Sequence, residues 1–202
     1  MVDFFVQGGG FMWPILIALL FGLAIIGERA YSLINSSSDT DQFFEDVKNI
    51  YNDSGKEQAI EFCENSPGPV ASIFYAGLSK MQKSKEEIEK AVQNAGGLEM
   101  AFLEKNMIWI NSVITIAPML GFTGTVVGMI KAFEDIKMAN DISPAVVAGG
   151  ISQALLTTAF GLIVAMIMQV AQNFFVSMID KLILDMEEQS IKIVEYLHSS
   201  KK

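Results

Sequence analysis

Charge is missing from three long stretches of this sequence. No Asp, Glu, Lys or Arg occurs at residues 4–27, 106–130 or 142–179. Each stretch is at least as long as the ~20 apolar residues that a helix needs to cross a bilayer. A soluble core has no use for such runs, so the chain reads as an all-α integral membrane protein with three transmembrane helices. Histidine and cysteine are almost absent as well, at one residue each. His198 has no second ligand nearby and makes no metal site, and Cys63 has no partner for an internal disulfide, so its expected role is packing. The 14 basic residues are outnumbered by 23 acidic ones and nowhere cluster, which argues against a nucleic-acid partner. Also lacking are a phosphate loop, paired His or Cys ligands and a Ser-His-acid set. No enzyme activity, cofactor or metal is therefore expected.

The first apolar stretch follows no basic residue and runs directly into Glu28 and Arg29 without a small-residue cleavage pattern, so it reads as a retained helix and not a signal peptide. Twelve of the 14 basic residues lie between the first and second spans or after the third. Lys131 and Lys137 are the two exceptions, between spans two and three. The positive-inside rule then places the N-terminus outside and the C-terminus in the cytoplasm. The expected organisation is an outer N-terminus and first transmembrane helix over 1–34, a cytoplasmic helical region over 35–105, and a second transmembrane helix over 106–131. A short outer loop over 132–144, a third transmembrane helix over 145–180 and a cytoplasmic C-terminal helix over 181–202 complete it.

Punctuation divides the cytoplasmic region into helices. Ser38, Asp39 and Asp41 open one, the stretch 52–55 breaks it, and Pro67-Gly68-Pro69 breaks the next. Ser84 and Glu87 have the spacing of a capping box, from which a helix is expected to run on into span two, locally weakened by Gly96-Gly97. Leu182, Ile183, Met186, Ile193, Val194 and Leu197 continue a helical stripe, so the third transmembrane helix is expected to extend far beyond the bilayer.

Spans two and three carry more small and polar residues than a lipid-facing helix needs. At 100° per residue, Asn111, Pro118, Gly121, Thr125 and Gly128 share about one third of the circumference of helix two. Gly124 lies in the same segment. In helix three Ala154, Thr158, Gly161, Ala165, Gln169 and Gln172 form a narrow stripe. Two readings stay open: the stripes line a shared path, or they are packing surfaces whose hydroxyls bond their own i−4 carbonyls. No side chain at residues 106–130 or 142–179 can carry a proton near neutral pH. A proton path would therefore need a carboxylate from another chain. Glu28 stands near the inner end of helix one, where with Arg29 it reads as an interfacial ion pair.

Three segments resemble the MotA/TolQ/ExbB proton-channel family, in particular its three-helix ExbB/TolQ branch. Residues 117–133, APMLGFTGTVVGMIKAF, are similar to the family's P-L-L-G-L-x-G-T-V-x-G-M-x-x-x-F signature. Residues 149–165, GGISQALLTTAFGLIVA, resemble its second signature. Residues 57–78, EQAIEFCENSPGPVASIFYAGL, resemble its helix, Pro-Gly-Pro break and following helix.

The resemblance implies a homopentameric ring in a bacterial inner membrane, with helices two and three around a pore. That pore would enclose single-span ExbD-, TolR- or MotB-like partners, each bearing a membrane aspartate. A TonB-like energy transducer is a possible further partner. Thr125 and Thr158 match the family's pore-facing threonines, and Gln153, Gln169 and Asn111 are the other expected ion-path residues. Pro118, Gly121, Gly124, Gly128 and Gly161 are the expected packing positions. The implied function is a motor stator subunit that couples proton flow to a partner complex, as in TonB-dependent outer-membrane transport. Tol-type envelope maintenance, motility and a non-conducting scaffold are the alternatives. Where many relatives have glutamate, this sequence has Gln153. Loss of that charge leaves Na⁺ open as the coupling ion, because hydroxyl and amide oxygens suit a hard cation.

Overall fold

A computed structural model of the chain describes residues 2–37, 39–139 and 144–199. Among these the protein is helical without a strand: α1 Val2–Gln7, α2 Met12–Ser36, α3 Thr40–Ser54, α4 Lys56–Asn65, α5 Pro69–Ser79, α6 Lys85–Leu103, α7 Met107–Ala139 and α8 Pro144–Ser199. Three helical stretches are long and apolar enough to cross a membrane, those containing α2, α7 and α8. The chain is a multi-pass membrane protein of the all-α class. At 1.5 Å per residue the 56 residues of α8 span roughly 84 Å, nearly three times the ~30 Å hydrocarbon thickness. Much of α8 must therefore lie outside the bilayer.

Two compact units divide the chain. The first comprises residues up to Glu28 together with Asn106–Phe174; the second comprises Arg29–Lys105 and the chain from Phe175 onward. In the first unit α7 and α8 pack antiparallel. Ile110, Val113, Ala117, Gly121, Gly124 and Gly128 form the buried stripe of α7, and Ala154, Thr157, Gly161, Val164 and Met168 that of α8. Each stripe advances in steps of three or four residues, the period of a helix seam. Elsewhere these helices expose Phe122, Phe133, Leu155, Met166, Val170 and other large apolar side chains, an outcome that only lipid or further protein makes tolerable.

The second unit is a helical bundle with an aromatic centre. Phe74 is fully buried, and the rings of Phe43 and Phe44 meet it at centroid distances of 5.6 and 5.9 Å. Asp39 caps α3 by accepting from the Gln42 amide at 3.1 Å, and Ser84 and Glu87 close the expected capping box on α6. Gly55 and Gly68 occupy left-handed backbone, φ 91° and 104°, which explains why the chain turns at both breaks. Cys63 is buried, and burial pushes its thiol up to about 12, so it is inert packing at neutral pH.

Several expectations about element limits change. Helix one begins at Met12 because Gly9, at φ 74°, turns the chain after α1. The helix from Ser84 does not run on into span two. It ends at Leu103, and Asn106 at φ 65° starts α7 afresh, a conformation asparagine tolerates better than other non-glycine residues. Gly96-Gly97, expected as a weak point, lies within continuous helix. Helix α7 continues past residue 131 to Ala139. The centre of the expected outer loop, 140–143, lies outside the described residues.

An ion-pair cluster ties α8 to the start of α3. Lys192 contacts Asp41 at 2.6 Å and Glu188 at 2.7 Å, and the buried Gln189 donates to Asp41 at 2.8 Å. The Lys192 hydrogen bond, then that of Gln189, holds the Asp41 carboxyl below 3.8, while Asp41 and then Glu188 raise Lys192 above 10.5. A depressed carboxyl contributes stability above its unfolded value and loses it as pH falls through the folded one. A raised lysine contributes below 10.5 and loses it at higher pH. Thermal melts should therefore show Lys192→Ala less stable than the parent at neutral pH, with the difference shrinking at about pH 2.5. The effect is small because the pair is exposed.

Candidate functional site: a threonine cluster on the α7–α8 seam

Hydroxyl groups in the first unit fall into two kinds. Ser112, Thr115 and Thr123 bond the carbonyls of Ile108, Asn111 and Met119, each four residues back on α7, at 2.8, 3.0 and 2.7 Å. They satisfy themselves and need no neighbour. Thr125, Thr157 and Thr158 behave differently, because their bonds cross the seam.

The crossing is close because both helices put glycine there. A Cβ on Gly161 would sit 2.5 Å from the Ala117 carbonyl oxygen, and one on Gly121 would sit 2.8 Å from that of Thr157. Neither obstacle is a flexible side-chain end, so only glycine fits. Gly124 makes room for Thr157, whose Oγ1 would lie 2.7 Å from an added Cβ, and Gly128 faces Ala154 at 3.3 Å. The backbones approach closely enough for threonines on one helix to reach carbonyls of the other.

Three hydroxyls and two carbonyls converge as a result. The Gly121 carbonyl lies 3.3 Å from Thr125 Oγ1, 3.3 Å from Thr157 Oγ1 and 3.2 Å from Thr158 Oγ1. The Ala154 carbonyl accepts from Thr125 at 2.9 Å and from Thr157 at 2.7 Å. Thr125 and Thr158 also hydrogen-bond each other. Each hydroxyl has one hydrogen, and backbone carbonyls or a neighbouring threonine can take all three. Oxygen lone pairs on Thr125 and Thr158 then remain for whatever lies beside the seam. These two side chains are half-buried, whereas Thr157 is fully buried and supports them from below.

Other expected site residues are distributed unevenly. Gly121, Gly124, Gly128 and Gly161 all lie in the seam, and Pro118 is half-buried beside it. Asn111 and Gln169 are exposed, and the antiparallel register places them at the same level, away from the threonines. Gln169 donates to Asn173 on its own helix at 2.9 Å. Gln153 is not brought to the threonine cluster: its side chain packs against Gly9 in the N-terminal turn. Glu28 is exposed and accepts from Asn106 at 3.3 Å. Arg29 is the surprise, because only 1% of it is exposed, with a long hydrogen bond of 3.4 Å to the Leu103 carbonyl. Arg29 and Leu103 both belong to the second unit.

Sequence reasoning missed Thr157. Its position between Thr158 and the glycine-facing side of the helix was available from the three-and-four spacing of 154, 157 and 161, but attention to the polar stripe alone passed over it. Among the described residues no group of three or more His, Cys, Asp or Glu could hold a metal ion. Oxygen atoms without formal charge are what the seam presents.

Known proteins share this arrangement of sequence. The chain is 28% identical over 188 residues to a biopolymer transport protein ExbB-like 3 of Synechocystis, covering 92% of this chain and 90% of that one. It is 25% identical over 167 residues to the biopolymer transport protein exbB1 of Vibrio cholerae, covering 79% and 72%. Against the Tol-Pal system protein TolQ of Pseudomonas aeruginosa it is 26% identical over 144 residues, 64% of this chain but only 58% of that one. Residues 65–188, which include the second-unit helices α5 and α6 and the whole threonine seam, match a family as a block, and the chain accordingly belongs to the MotA/TolQ/ExbB proton channel family.

Proposed function

We propose that this chain is the pore-forming stator subunit of an ion-driven motor in a bacterial inner membrane, with its N-terminus outside and its C-terminus in the cytoplasm. In this reading several copies, five by the family resemblance, surround single-span partners of the ExbD, TolR or MotB kind. The threonine cluster supports it most directly, since it offers a neutral, hydrogen-bonding surface within stretches, 106–130 and 142–179, that contain no ionisable group. Weak burial supports it too: only 17–28% of the most apolar part of each span is buried within one chain, leaving wide faces for other subunits and lipid.

A hydroxyl rotor gives the cluster a role. Beside an ionised partner aspartate, Thr158 turns its hydrogen toward the carboxylate. When the aspartate takes up a proton, its own O–H donates to the threonine oxygen and the threonine hydrogen returns to the Gly121 carbonyl. Neutralisation removes a buried charge worth several kcal/mol in desolvation, enough to bias a helix between discrete positions. Proton flow would then move the partner, as in powering TonB-dependent transport or a Tol-type envelope system.

Liposome reconstitution tests the reading. Proton entry should require both this chain and a single-span partner, and should vanish when the partner's membrane aspartate becomes asparagine. Equal flux from this chain alone would overturn it. A second reading takes Na⁺ as the coupling ion, favoured by five neutral oxygens clustered in one seam. Flux that follows a Na⁺ gradient at constant pH would select it.

A further inference from the structure

Two glycines in α6 have no explanation inside this chain. Gly96 and Gly97 sit in the middle of a 19-residue helix, where glycine costs helix stability relative to alanine. A Cβ on Gly97 would meet nothing within 4 Å, and one on Gly96 would meet only the Met186 methyl at 3.9 Å. Unlike the glycines of the α7–α8 seam, this pair is not needed for any close approach within the chain.

Both line a groove between α6 and α8 in the second unit. Two adjoining cavities, about 300 and 430 Å³, share Val92, Gln93, Ser190 and Ile191. Along α6 they extend over residues 85–100, roughly 22 Å of helix. Val92 and Met186 form an apolar floor, while Ile191 stands 63% exposed at the edge. The rim is acidic. Lys85 is engaged by Glu89 at 3.6 Å, which leaves Glu187 and Glu195 without a basic partner among the described residues.

The geometry points to a docking site for an amphipathic, Lys/Arg-rich helix of a partner protein, whose backbone approaches at Gly96-Gly97. The groove has the length of about four helical turns, an apolar floor for one face of such a helix and unpaired carboxylates for the basic residues flanking that face. Smooth glycine backbone lets the two helices approach closely. The inference does not depend on ion conduction.

The test uses the full chain in phosphatidylcholine nanodiscs. The probe is a fluorescent sixteen-residue Leu/Lys helical peptide with glycine at its centre, and its Leu/Glu counterpart serves as the control. After subtraction of binding to empty discs, the Lys peptide should bind saturably and the Glu peptide should not. Gly97→Leu should weaken binding at least about tenfold while raising the melting temperature, a combination that loss of fold cannot produce. The double variant Glu187→Gln/Glu195→Gln should weaken binding several-fold and flatten its salt dependence. Equal binding of both peptides, or unchanged binding to Gly97→Leu, would overturn the proposal. So would a Gly97→Leu variant whose only change is the number of chains per particle, which would give the groove to a second copy.

Discussion

Thr158→Val should reduce partner-dependent ion flux by a factor of ten or more while leaving assembly intact. Valine keeps the branched shape and removes the oxygen that lies 3.2 Å from the Gly121 carbonyl and against Thr125. A hydrogen bond to a charged group contributes about 1.5–3 kcal/mol, and a tenfold change in rate corresponds to about 1.4 kcal/mol, so one lost hydroxyl suffices. Folding should suffer less, by about 0.5–1.5 kcal/mol, the ordinary net value of a neutral hydrogen bond. Thr123→Val is the matched control. Its hydroxyl bonds only the Met119 carbonyl of its own helix, and flux should stay within about twofold of the parent. Proton uptake into partner-loaded liposomes checks both. A packing role for the threonine would instead give equal, small effects in the two variants.

Gly161→Ala should strongly destabilise the first unit. Its Cβ would meet the Ala117 carbonyl oxygen at 2.5 Å and the Gly121 Cα at 3.2 Å, both backbone atoms that cannot turn aside. Overpacking of this kind costs about 1–3 kcal/mol when the helices can shift and more when they cannot. Separation of the helices would also lengthen every bond across the threonine cluster, so flux should fall along with stability. Gly27→Ala provides the contrast, since nothing lies within 4 Å of a Cβ there and stability should hold or rise. Denaturant titration in bicelles, read by tryptophan fluorescence, measures the difference. Equal stability of the two alanine variants would mean that the seam is looser than described.

Much of this arrangement is legible in the sequence because membrane and soluble physics leave different marks. Charge-free runs announce the spans, and α8 continues beyond its span because Leu182, Met186, Ile193 and Leu197 keep a helical period that turns the same face inward. Caps and breaks are local chemistry, so Asp39, Gly55, Gly68 and Ser84 fall where side-chain type alone predicts. Asn106 was not foreseen, because a single left-handed residue between two strong helical patterns leaves no trace in periodicity.

The site was legible only in part, for a related reason. Composition marks threonine as polar, but whether a hydroxyl bonds its own helix or the neighbouring one depends on how closely the backbones approach. Thr123 and Thr125 both bond the carbonyl four residues back, but only Thr125, on the seam side of α7, also reaches a carbonyl of α8. Gln153 is an expected ion-path residue only through the family resemblance, and its side chain lies against Gly9. Arg29 shows a further limit, since its place beside Glu28 at the end of an apolar span does not reveal that its side chain is buried.

An experimental structure of the assembled complex in lipid tests the central claim most directly. The account predicts that the hydroxyl oxygens of Thr125 and Thr158 from successive copies face an enclosed helix of another protein, within hydrogen-bonding reach of its carboxyl group. Threonines turned to acyl chains around a lumen that encloses no second protein would contradict it.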